Sequence, residues 1–377
     1  MNINFVINSQ VLQKKLQQLI SVVSTNKALP ITQDFLIDLQ GNNLIITATD
    51  LETTLKVTLE LANSNGEGKF TVPARPLFDF LKFLPDAPVT FNVDLEKLSI
   101  DINSNEGKYR LTGHNAEEFP ELPEIEKENE FALNSELLYD GITRTVFATG
   151  NDERRPAING VFFEVEPNSL TLVASDAHKL VKYTRTDANP NISTSFVVAK
   201  KPLNVLKNLL SDSDETTKIS YNDKHICFNL DNDQIYARLI DARYPNYKAV
   251  IPQANENKLV ADRELLINSI NRLVPFANQS TQQLVFTLGG QELIMEVEDI
   301  DYSNQGVERI ECSYSGEDMK IAFSYRYLLE LLSNLSSKNV VFLLGNPDRA
   351  GLIQPEDNEN VDEDIVMVIM PLQIVNG

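Results

Sequence analysis

Apolar and polar residues alternate along many short segments of the chain, and three of these segments share one layout. In each, two alternating runs flank a polar turn that contains Gly or Pro, which is the pattern of a β-hairpin. The three segments are FLIDLQGNNLIITATD, VFFEVEPNSLTLVASD and LVFTLGGQELIMEVED. They end at Asp50, Asp176 and Asp299, which are 126 and 123 residues apart. The repetition predicts three related hairpins, each with an Asp that caps the turn at its end.

A helical period of apolar residues recurs at a similar interval. Leu12, Leu138 and Leu266 belong to stripes of apolar residues spaced three or four positions apart, and they are 126 and 128 residues apart. A second amphipathic segment follows each hairpin. The windows predicted to be helical are 10–23, 74–84, 135–147, 200–210, 262–274 and 325–335. Pro76 and Pro202 lie near the start of two windows, where a missing backbone N–H costs nothing.

These intervals indicate that one structural unit occurs three times in the chain. Pro120 and Pro245, which are 125 residues apart, close the first two copies. We place the domains at 1–127, 128–255 and 256–377, with boundaries in polar stretches of the sequence. Each domain then has two helices and many short strands, an α+β composition. We expect the two helices to pack side by side on one face of the sheet.

The formal net charge of −21 argues against nucleic-acid binding if it is taken alone, because phosphate contacts need Lys and Arg. The charge, however, is unevenly distributed. The helical windows contain 11 Lys and Arg against 6 Asp and Glu, whereas the other residues contain 22 against 48. One explanation is that Lys and Arg are good helix formers on solvated helix faces. Glu forms helices as readily as Lys, however, so helix propensity does not explain why the helical windows are positively charged. If the helices line one surface, that surface attracts a polyanion without reading its sequence.

Several other classes of function find little support in the sequence. Cys227 and Cys312 form neither a disulfide framework nor a ligand spacing, and the three histidines are scattered. We therefore expect no metal site and no cofactor. No apolar run approaches the roughly 18 residues of a membrane span, and the N-terminal stretch lacks the pattern of a signal peptide. These features predict a cytoplasmic protein.

Nine short motifs follow one another through the three copies. They are LPI at 29–31, TATDLE at 47–52, VPAR at 72–75, EEFPELP at 117–123, NGVFFE at 159–164, SDAHKL at 175–180, DARYPNY at 241–247, YSGEDMKIAF at 314–323 and VIMPL at 368–372. Together with the number and length of the repeats, these motifs resemble the bacterial sliding clamps, the β subunits of DNA polymerase III. The resemblance covers the whole chain.

The resemblance implies the DNA clamp fold, with three clamp-type domains per chain and a head-to-tail homodimer that forms a six-domain ring. Such a ring encircles duplex DNA, has no catalytic activity, and confers processivity by tethering the replicative polymerase. The implied partners are double-stranded DNA, the polymerase III catalytic subunit, the clamp loader, other polymerases and repair proteins. The implied location is the cytoplasm, in association with the nucleoid.

By resemblance, basic residues of the helices and of the loop GNDERRPAING would face DNA. These residues are Lys14, Lys15, Lys27, Arg75, Lys82, Arg144, Arg154, Arg155, Lys200, Lys201, Lys207 and Arg272. Each of them, taken singly, is equally consistent with a solvated surface charge. The resemblance also implies a subunit interface in which Tyr109 and Leu111 face Pro275 and Phe276, although all four could be ordinary core residues.

The resemblance further implies an apolar cleft, between the second and third domains, that binds short linear peptides of partner proteins. Its lining would be Ile158, Ser175, Ala177, His178, Lys179, Leu180, Pro245, Val250, Tyr327, Val368, Ile369, Met370, Pro371 and Leu372. Three positions depart from the family pattern. Ala177 replaces a Gly, Lys179 replaces an Arg, and Gln373 stands where Arg often follows the Met-Pro pair.

Two alternatives come from other functional classes. A hydrolase could use His178 and Asp176, but strand alternation would place these two side chains on one face and Ser175 on the opposite face. Moreover, Asp50 and Asp299 hold the same repeat position without a His two residues later. The second alternative is an acidic repeat scaffold that binds proteins but not DNA.

Overall fold

The computed structural model describes residues 2–24, 29–123, 125, 129–211, 216–357 and 360–374. In this part of the chain, six α-helices lie at the six predicted windows. They are α1 (Ser9–Leu19), α2 (Ala74–Leu81), α3 (Ser135–Thr145), α4 (Lys200–Leu210), α5 (Arg263–Leu273) and α6 (Tyr325–Ser333). None of these helices is long and apolar enough to cross a membrane.

The same described residues form 26 β-strands. The first thirteen are β1 (Asn2–Asn8), β2 (Asp34–Gln40), β3 (Asn43–Thr49), β4 (Thr53–Glu60), β5 (Ser64–Asn65), β6 (Gly68–Pro73), β7 (Pro88–Asp94), β8 (Ser99–Asn103), β9 (Lys108–Thr112), β10 (Glu130–Asn134), β11 (Gly160–Glu166), β12 (Ser169–Ser175) and β13 (Lys179–Arg185). The others are β14 (Thr194–Ala199), β15 (Thr216–Tyr221), β16 (His225–Asn229), β17 (Asp233–Arg238), β18 (Asn257–Asp262), β19 (Gln283–Gly289), β20 (Glu292–Asp299), β21 (Asn304–Glu311), β22 (Ser313–Ser315), β23 (Met319–Ser324), β24 (Asn339–Leu344), β25 (Gly351–Pro355) and β26 (Glu363–Ile369).

All three predicted hairpins form as antiparallel pairs, β2 with β3, β11 with β12, and β19 with β20. The residues that face each other beside the three turns are large and apolar in every case. These pairs are Leu39 with Leu44, Val165 with Leu170, and Leu288 with Leu293. All six side chains are buried, which agrees with the alternation that predicted the hairpins.

Polar caps determine where three of the helices begin. The side chain of Asn8 accepts hydrogen bonds from the backbone N–H groups of Gln10 and Val11 at 2.9 and 3.1 Å. Asp262 caps α5 and Ser324 caps α6 at the corresponding place before each helix. These side chains satisfy donors that the first helical turn leaves free, so each strand-to-helix turn has a local cause in the sequence.

The chain divides into two compact units that do not coincide with the three repeats. Unit 1 contains Met1–Glu136 and Lys201–Leu239, and unit 2 contains Leu137–Lys200 and Ile240–Gly377. Unit 1 has a sheet in the order β5-β1-β7-β8-β9 and a larger one in the order β10-β15-β16-β17-β4-β3-β2-β6. Unit 2 has the sheets β14-β11-β12-β13-β26-β25-β24-β18-β22 and β21-β20-β19-β23. The middle repeat therefore contributes strands to both units.

Each of the two long sheets contains strands of two consecutive repeats, and one antiparallel strand pair joins the two repeats. In unit 1 this pair is β4 with β17, and Thr53 lies opposite Ala237. In unit 2 it is β13 with β26, and Lys179 lies opposite Ile369. The two junctions use corresponding strands, because β4 and β13 each follow the Asp of their own hairpin. The repeats thus join through one kind of strand pairing.

Each of the two shorter sheets has two edge strands, and β9 in one sheet and β21 in the other have exposed apolar side chains. Within the described residues, β9 pairs with β8 alone and β21 pairs with β20 alone. Apolar side chains lie exposed on both strands, including Tyr109 at 40% and Val307 at 56%. An edge strand with exposed apolar side chains offers unpaired backbone groups to another chain.

Candidate functional site

The loop at 175–179, which connects β12 to β13, is held by its own side chains. The Asp176 carboxylate accepts hydrogen bonds from the backbone N–H groups of His178 and Lys179, both at 2.9 Å. The Ser175 hydroxyl donates to the carbonyl of Lys179 at 2.8 Å. Ala177 has a φ of +75°, in the left-handed region that favours glycine. This geometry confirms the prediction that the Asp caps the end of the hairpin.

The expectation of strand alternation across this loop was wrong. Residues 176–178 form a turn, so the two-residue period of a strand does not apply to Asp176 and His178. The arrangement also offers no catalytic relay, because the Ser175 hydroxyl donates to a backbone carbonyl and both oxygens of Asp176 have partners. Among the described residues, no group of His, Cys, Asp and Glu side chains could hold a metal ion.

Lys179 forms a buried ion cluster beside this loop. Its ammonium lies 2.6 Å from a carboxylate oxygen of Asp176 and 2.9 Å from one of Glu330 on α6. The same nitrogen lies 4.6 Å from the centre of the Tyr327 ring, on which the His178 ring is stacked. Burial alone would lower the pKa of Lys179, but hydrogen bonds to the two carboxylates raise it above the ordinary value. The cluster therefore connects the loop to helix α6.

An apolar cavity of about 550 Å³ opens beside the loop, within unit 2. Its lining is Arg155, Pro156, Ala157, Ile158, Ser175, Ala177, His178, Lys179, Leu180, Ala242, Arg243, Tyr244, Pro245, Asn246, Tyr247, Val250, Val368 and Met370. Below it, Tyr244 and Tyr247 are buried against Phe162, with the Tyr244 and Phe162 rings stacked at 4.9 Å. We call this cavity the cleft. Its size and apolar lining suit a short peptide.

Most of the residues predicted for the cleft lie in its lining. Ile158, Ser175, Ala177, His178, Lys179, Leu180, Pro245, Val250, Val368 and Met370 do so. Tyr327 lies behind His178 and Lys179, and Ile369 is fully buried. Pro371 follows Met370, and Leu372 forms a bridge to Ala322. These four residues are outside the cleft lining.

Sequence reasoning missed eight further lining residues or gave them another role. Arg155 had been assigned to DNA, whereas Pro156, Ala157, Ala242, Arg243, Tyr244, Asn246 and Tyr247 had no assignment. Five of the eight lie in the motif DARYPNY at 241–247, which has a tyrosine on each side of Pro245, whereas Arg155, Pro156 and Ala157 lie outside it. Tyr247 donates a hydrogen bond to Glu164 at 2.6 Å and Lys248 donates to it at 3.0 Å. Although burial alone would raise the pKa of Glu164, these bonds lower it.

Comparisons with known proteins agree over the whole chain. Family models of the DNA polymerase III β subunit match residues 3–123 with the N-terminal domain, 132–246 with the central domain and 248–373 with the C-terminal domain. The chain belongs to the DNA polymerase III β subunit family. It is therefore a sliding-clamp sequence with the three clamp domains of that family, as its resemblance implied.

Individual relatives extend this result. The beta sliding clamp of Haemophilus influenzae is 28% identical over 374 residues, covering 98% of this chain and 100% of the relative. A crystal structure of the Pseudomonas aeruginosa clamp bound to griselimycin matches with a TM-score of 0.93 and 26% identity, covering 99% of this chain and 100% of that one. The Thermotoga maritima β subunit matches with a TM-score of 0.91 and 26% identity, over 99% and 100% of the two chains.

Many basic residues at the positions that the clamp resemblance assigned to DNA have partners within their own unit. In unit 1, Lys15 pairs with Asp233 at 2.8 Å and Lys201 pairs with Asp50 at 2.6 Å. The remaining paired residues are Lys82 with Asp79, Arg154 and Arg155 with Asp152, Arg272 with Glu308, and Arg144 with the Asn334 carbonyl and Ser336. The carboxylate partners reduce the positive charge that is left for phosphate contacts, whereas the neutral partners of Arg144 occupy some of its hydrogen-bond donors.

In the loop at 152–155, two arginine side chains share the carboxylate of Asp152. A hydrogen bond from the Arg154 backbone, followed by bonds from the Arg155 and Arg154 side chains, lowers the pKa of Asp152 to about 2. Arg75, Lys200 and Lys207, in contrast, have no partner in the part of the chain that the structure describes. Lys14 has an interaction of its own. Lys27 lies outside the described residues.

The four residues predicted for a subunit interface lie near the two edge strands. On β9, Tyr109 packs against Phe80 with ring centres 4.4 Å apart, and Leu111 is partly exposed. In unit 2, Pro275 and Phe276 follow α5 in a single 3₁₀ turn, and Phe276 is 46% exposed. A Cβ added at Gly306 of β21 would lie 3.5 Å from Phe276. Exposed apolar groups thus lie on or beside one edge strand in each unit, although others lie elsewhere on the surface.

Proposed function

We propose that two copies of this chain join head to tail into a ring that encircles duplex DNA and tethers a replicative polymerase without catalysing a reaction. One observation supports this most. Each internal junction pairs the strand after a hairpin, β4 or β13, with the last strand of the next repeat, β17 or β26. Within the described residues, β21 also follows a hairpin and β9 also ends a repeat, and neither has such a partner. β21 corresponds to β4 and β13, and β9 corresponds to β17 and β26. A closed homodimer would satisfy both edges.

The repeat equivalence also predicts the register of this third junction. Thr53 and Lys179 begin their strands and face Ala237 and Ile369. The corresponding residues are Asn304, the first of β21, and Leu111, which is 126 residues before Ala237. Antiparallel pairing of Asn304 with Leu111 of a second copy then places Val307 opposite Lys108.

Cysteine cross-linking tests this register. The double variant Val307→Cys with Lys108→Cys should form a covalent dimer under mild oxidation, because directly opposed residues have the Cα separation that a disulfide needs. The control pairs Val307→Cys with Tyr109→Cys, which the register places out of line and on opposite faces. Cross-linking of the control at an equal rate would contradict the proposed junction.

The proposed ring would hold DNA by closure, with its helices facing the hole. Weak, salt-screened contacts suit sliding, and the internal pairing of Lys15, Lys201 and Arg272 supports such weak contacts. We propose Arg75, Lys200 and Lys207 as the principal phosphate contacts, with Lys14 and the remaining basic residues of the helices and loop contributing less. The domain boundaries at 1–127, 128–255 and 256–377 are part of the same proposal.

A retention assay tests the whole proposal. After loading by a clamp loader, the protein should stay on circular DNA and leave linear DNA through its ends. The variant Lys200→Glu with Lys207→Glu should load several-fold less well at low salt, while Lys224→Glu, an exposed lysine of a β-turn, should load normally. Retention on neither form of DNA would favour the alternative of a protein-binding scaffold.

We further propose that the cleft binds short linear peptides of the polymerase III catalytic subunit, the clamp loader, other polymerases and repair proteins. Its apolar lining and its adaptable Met370 support peptide binding. Griselimycin-bound structures of the Pseudomonas aeruginosa and Bartonella birtlesii clamps suggest griselimycin as a first probe. The predicted Tyr327, Ile369, Pro371 and Leu372 would then support the lining from outside it. The protein would work in the cytoplasm, at the nucleoid.

A further inference from the structure

In each repeat, a residue shortly after the last strand is hydrogen-bonded to the strand that pairs with the first strand of the hairpin. In the second repeat the N–H of Ile240, after β17, donates to the carbonyl of Val197 in β14 at 3.0 Å. In the third, the N–H of Leu372, after β26, donates to the carbonyl of Ala322 in β23 at 2.7 Å. Both repeats thus use a bond between backbone groups.

The first repeat makes the same connection through polar side chains. The N–H of His114, after β9, donates to the hydroxyl of Thr71 in β6 at 2.7 Å. That hydroxyl donates to a carboxylate oxygen of Asp34 at 2.8 Å, and the Nδ1 of His114 lies 2.7 Å from the same oxygen. An ionised carboxylate only accepts hydrogen bonds, so the imidazole donates from Nδ1. We call Asp34, Thr71 and His114 the His114 cluster.

The fold of a repeat does not require this cluster. The corresponding residues of the second repeat are Gly160, Val197 and Ile240, each 126 positions after its counterpart. A Cβ added at Gly160 would lie 2.9 Å from side-chain atoms of both Ile240 and Val197. Apolar packing therefore takes the place of the buried carboxylate there. The polar cluster of the first repeat needs another cause.

The cluster fixes the chain directly after β9. Only 3% of the Asp34 side chain is exposed, against 52% of that of His114. Loss of a hydrogen-bond donor to a buried carboxylate is costly, so the cluster favours one position of the His114 backbone. Gly113 restricts that position further, because a Cβ there would overlap the carbonyl oxygen of Thr71. The end of β9 is thereby held against β6, a strand of the other sheet of unit 1.

The strand β9 differs from β17 and β26 in its neighbours. β17 pairs with β4 and β26 pairs with β13, so a strand of another repeat helps to hold each of them. Within the described residues, β9 pairs with β8 alone. Leu111, which the proposed junction places opposite Asn304 of a second copy, lies three residues before His114. The cluster therefore fixes the end of a strand that has no second neighbour in the described part of the chain.

We propose that Asp34, Thr71 and His114 are positioning residues of the subunit junction. They act through β9, whose end they hold in the place that pairing with β21 of a second copy requires. An edge strand whose end is already fixed loses less conformational freedom when it pairs, so the cluster favours ring closure. The proposal rests on the ring proposed above and adds residues that keep one of its edges ready.

Substitutions of His114 separate its hydrogen bond from its size. His114→Leu removes the Nδ1 donor, whereas His114→Asn places an amide donor at the corresponding position. Analytical ultracentrifugation should show that the dimer dissociation constant rises about 5- to 30-fold in His114→Leu and less than about threefold in His114→Asn. His225→Leu, the same change at a partly buried histidine of β16, should keep the constant within about twofold of wild type.

A second position and a local measurement show whether the effect acts through β9. Thr71→Val removes the hydroxyl and should weaken the dimer as His114→Leu does, whereas Thr71→Ser should keep the wild-type constant. Hydrogen exchange, measured at concentrations where the protein is monomeric, should become faster at the amides of β9 in His114→Leu. The amides of β2 and β3 should keep their wild-type rates, because the cluster holds the edge strand more than the sheet beneath it.

Four results would overturn the proposal. An unchanged dimer constant in both His114→Leu and Thr71→Val would mean that the cluster does not position the junction. Equal weakening by His114→Leu and His114→Asn would exclude the Nδ1 hydrogen bond as the cause. Exchange that became equally faster in β2, β3 and β9 would mean that the cluster only stabilises unit 1. A wild-type protein that stayed monomeric at every concentration would refute the ring itself, and this inference with it.

Discussion

The loops that end the first and second hairpins, at 49–53 and 175–179, share one backbone geometry. In each, one oxygen of the Asp accepts hydrogen bonds from the backbone N–H groups two and three residues later. These distances are 3.1 and 2.7 Å in the first loop and 2.9 and 2.9 Å in the second. The residue directly after the Asp has a left-handed backbone in both loops, with φ of +79° at Leu51 and +75° at Ala177. The first two repeats therefore have the same turn at the end of the hairpin.

What surrounds the two loops is different. In the first, Glu52 takes the position of His178 and pairs with Arg238 at 3.2 Å. The other oxygen of Asp50 binds Lys201, which is 44% exposed, whereas that of Asp176 binds Lys179, which is 4% exposed. The second loop also borders an apolar cleft. The same loop backbone therefore occurs in two settings, and side chains from other segments determine what lies around it.

Replacing the lysine at each loop should have the largest effect on stability, and the two losses should differ. Lys179→Met leaves the largely buried carboxylate of Asp176 without a cation, while Glu330 keeps Arg326 at 3.3 Å, so we expect a loss of about 2 to 3 kcal/mol in the stability of β12, β13 and β26. Lys201→Met removes an exposed ion pair and should cost about 0.5 kcal/mol in unit 1. Hydrogen exchange of the strand amides measures both losses. Equal losses would show that the exposure of the ion pair does not determine its contribution.

Glycine at the two left-handed positions should have a smaller effect on stability than the lysine substitutions, and of the opposite sign. Leu51→Gly and Ala177→Gly should each stabilise the protein by about 0.5 to 1 kcal/mol, because only glycine adopts a positive φ without a steric penalty. Denaturant titration of each variant would measure the change. Alanine substitutions at Gly41 and Gly290, which also have positive φ, provide the opposite control and should destabilise. Destabilisation by Ala177→Gly would mean that its methyl group makes contacts that outweigh the strain.

A change of pH within the neutral range should have the smallest effect on stability. A raised pKa at Lys179 means that its stabilisation is complete below the pKa of unfolded lysine, about 10.4, and is lost as the pH rises through the folded-state pKa. We therefore expect griselimycin affinity and the stability of the second loop to change little between about pH 7 and pH 9. Calorimetric titration against Lys179→Met isolates the contribution of the lysine. A loss of stability that begins below pH 9 in the wild type alone would contradict this sign.

The sequence predicted the helices and hairpins well because both depend on local chemistry. A stripe of leucines such as Leu12, Leu16 and Leu19 can be buried on one face only if the segment is helical. Likewise, alternation on both sides of a short polar turn has one compact solution. The loop at 176–178 was the exception, because a left-handed residue interrupts the two-residue period there and Ala177 carries no signal for it.

The cleft could be predicted only in part. Residues within SDAHKL and VIMPL were assigned to the cleft by the family resemblance, and the pairing of β13 with β26 is what brings the two segments together. Arg243 and Tyr244 lie in the motif DARYPNY, but the motif alone does not show that a loop after β17 lines the same cavity. The buried state of Lys179 was also invisible, because Glu330 lies 151 residues further along the chain.

By itself, the sequence determined the triplication, the elements of each repeat and the excess of basic residues on the helices, since periodicity and composition are local properties. Only the tertiary structure decided which strands join consecutive repeats, which cations have carboxylate partners and which side chains meet at the cleft. The physical reason is that ion pairing and burial depend on distances between residues far apart in sequence. No local pattern encodes those distances, so the burial of Lys179 between two carboxylates appears only in the folded chain.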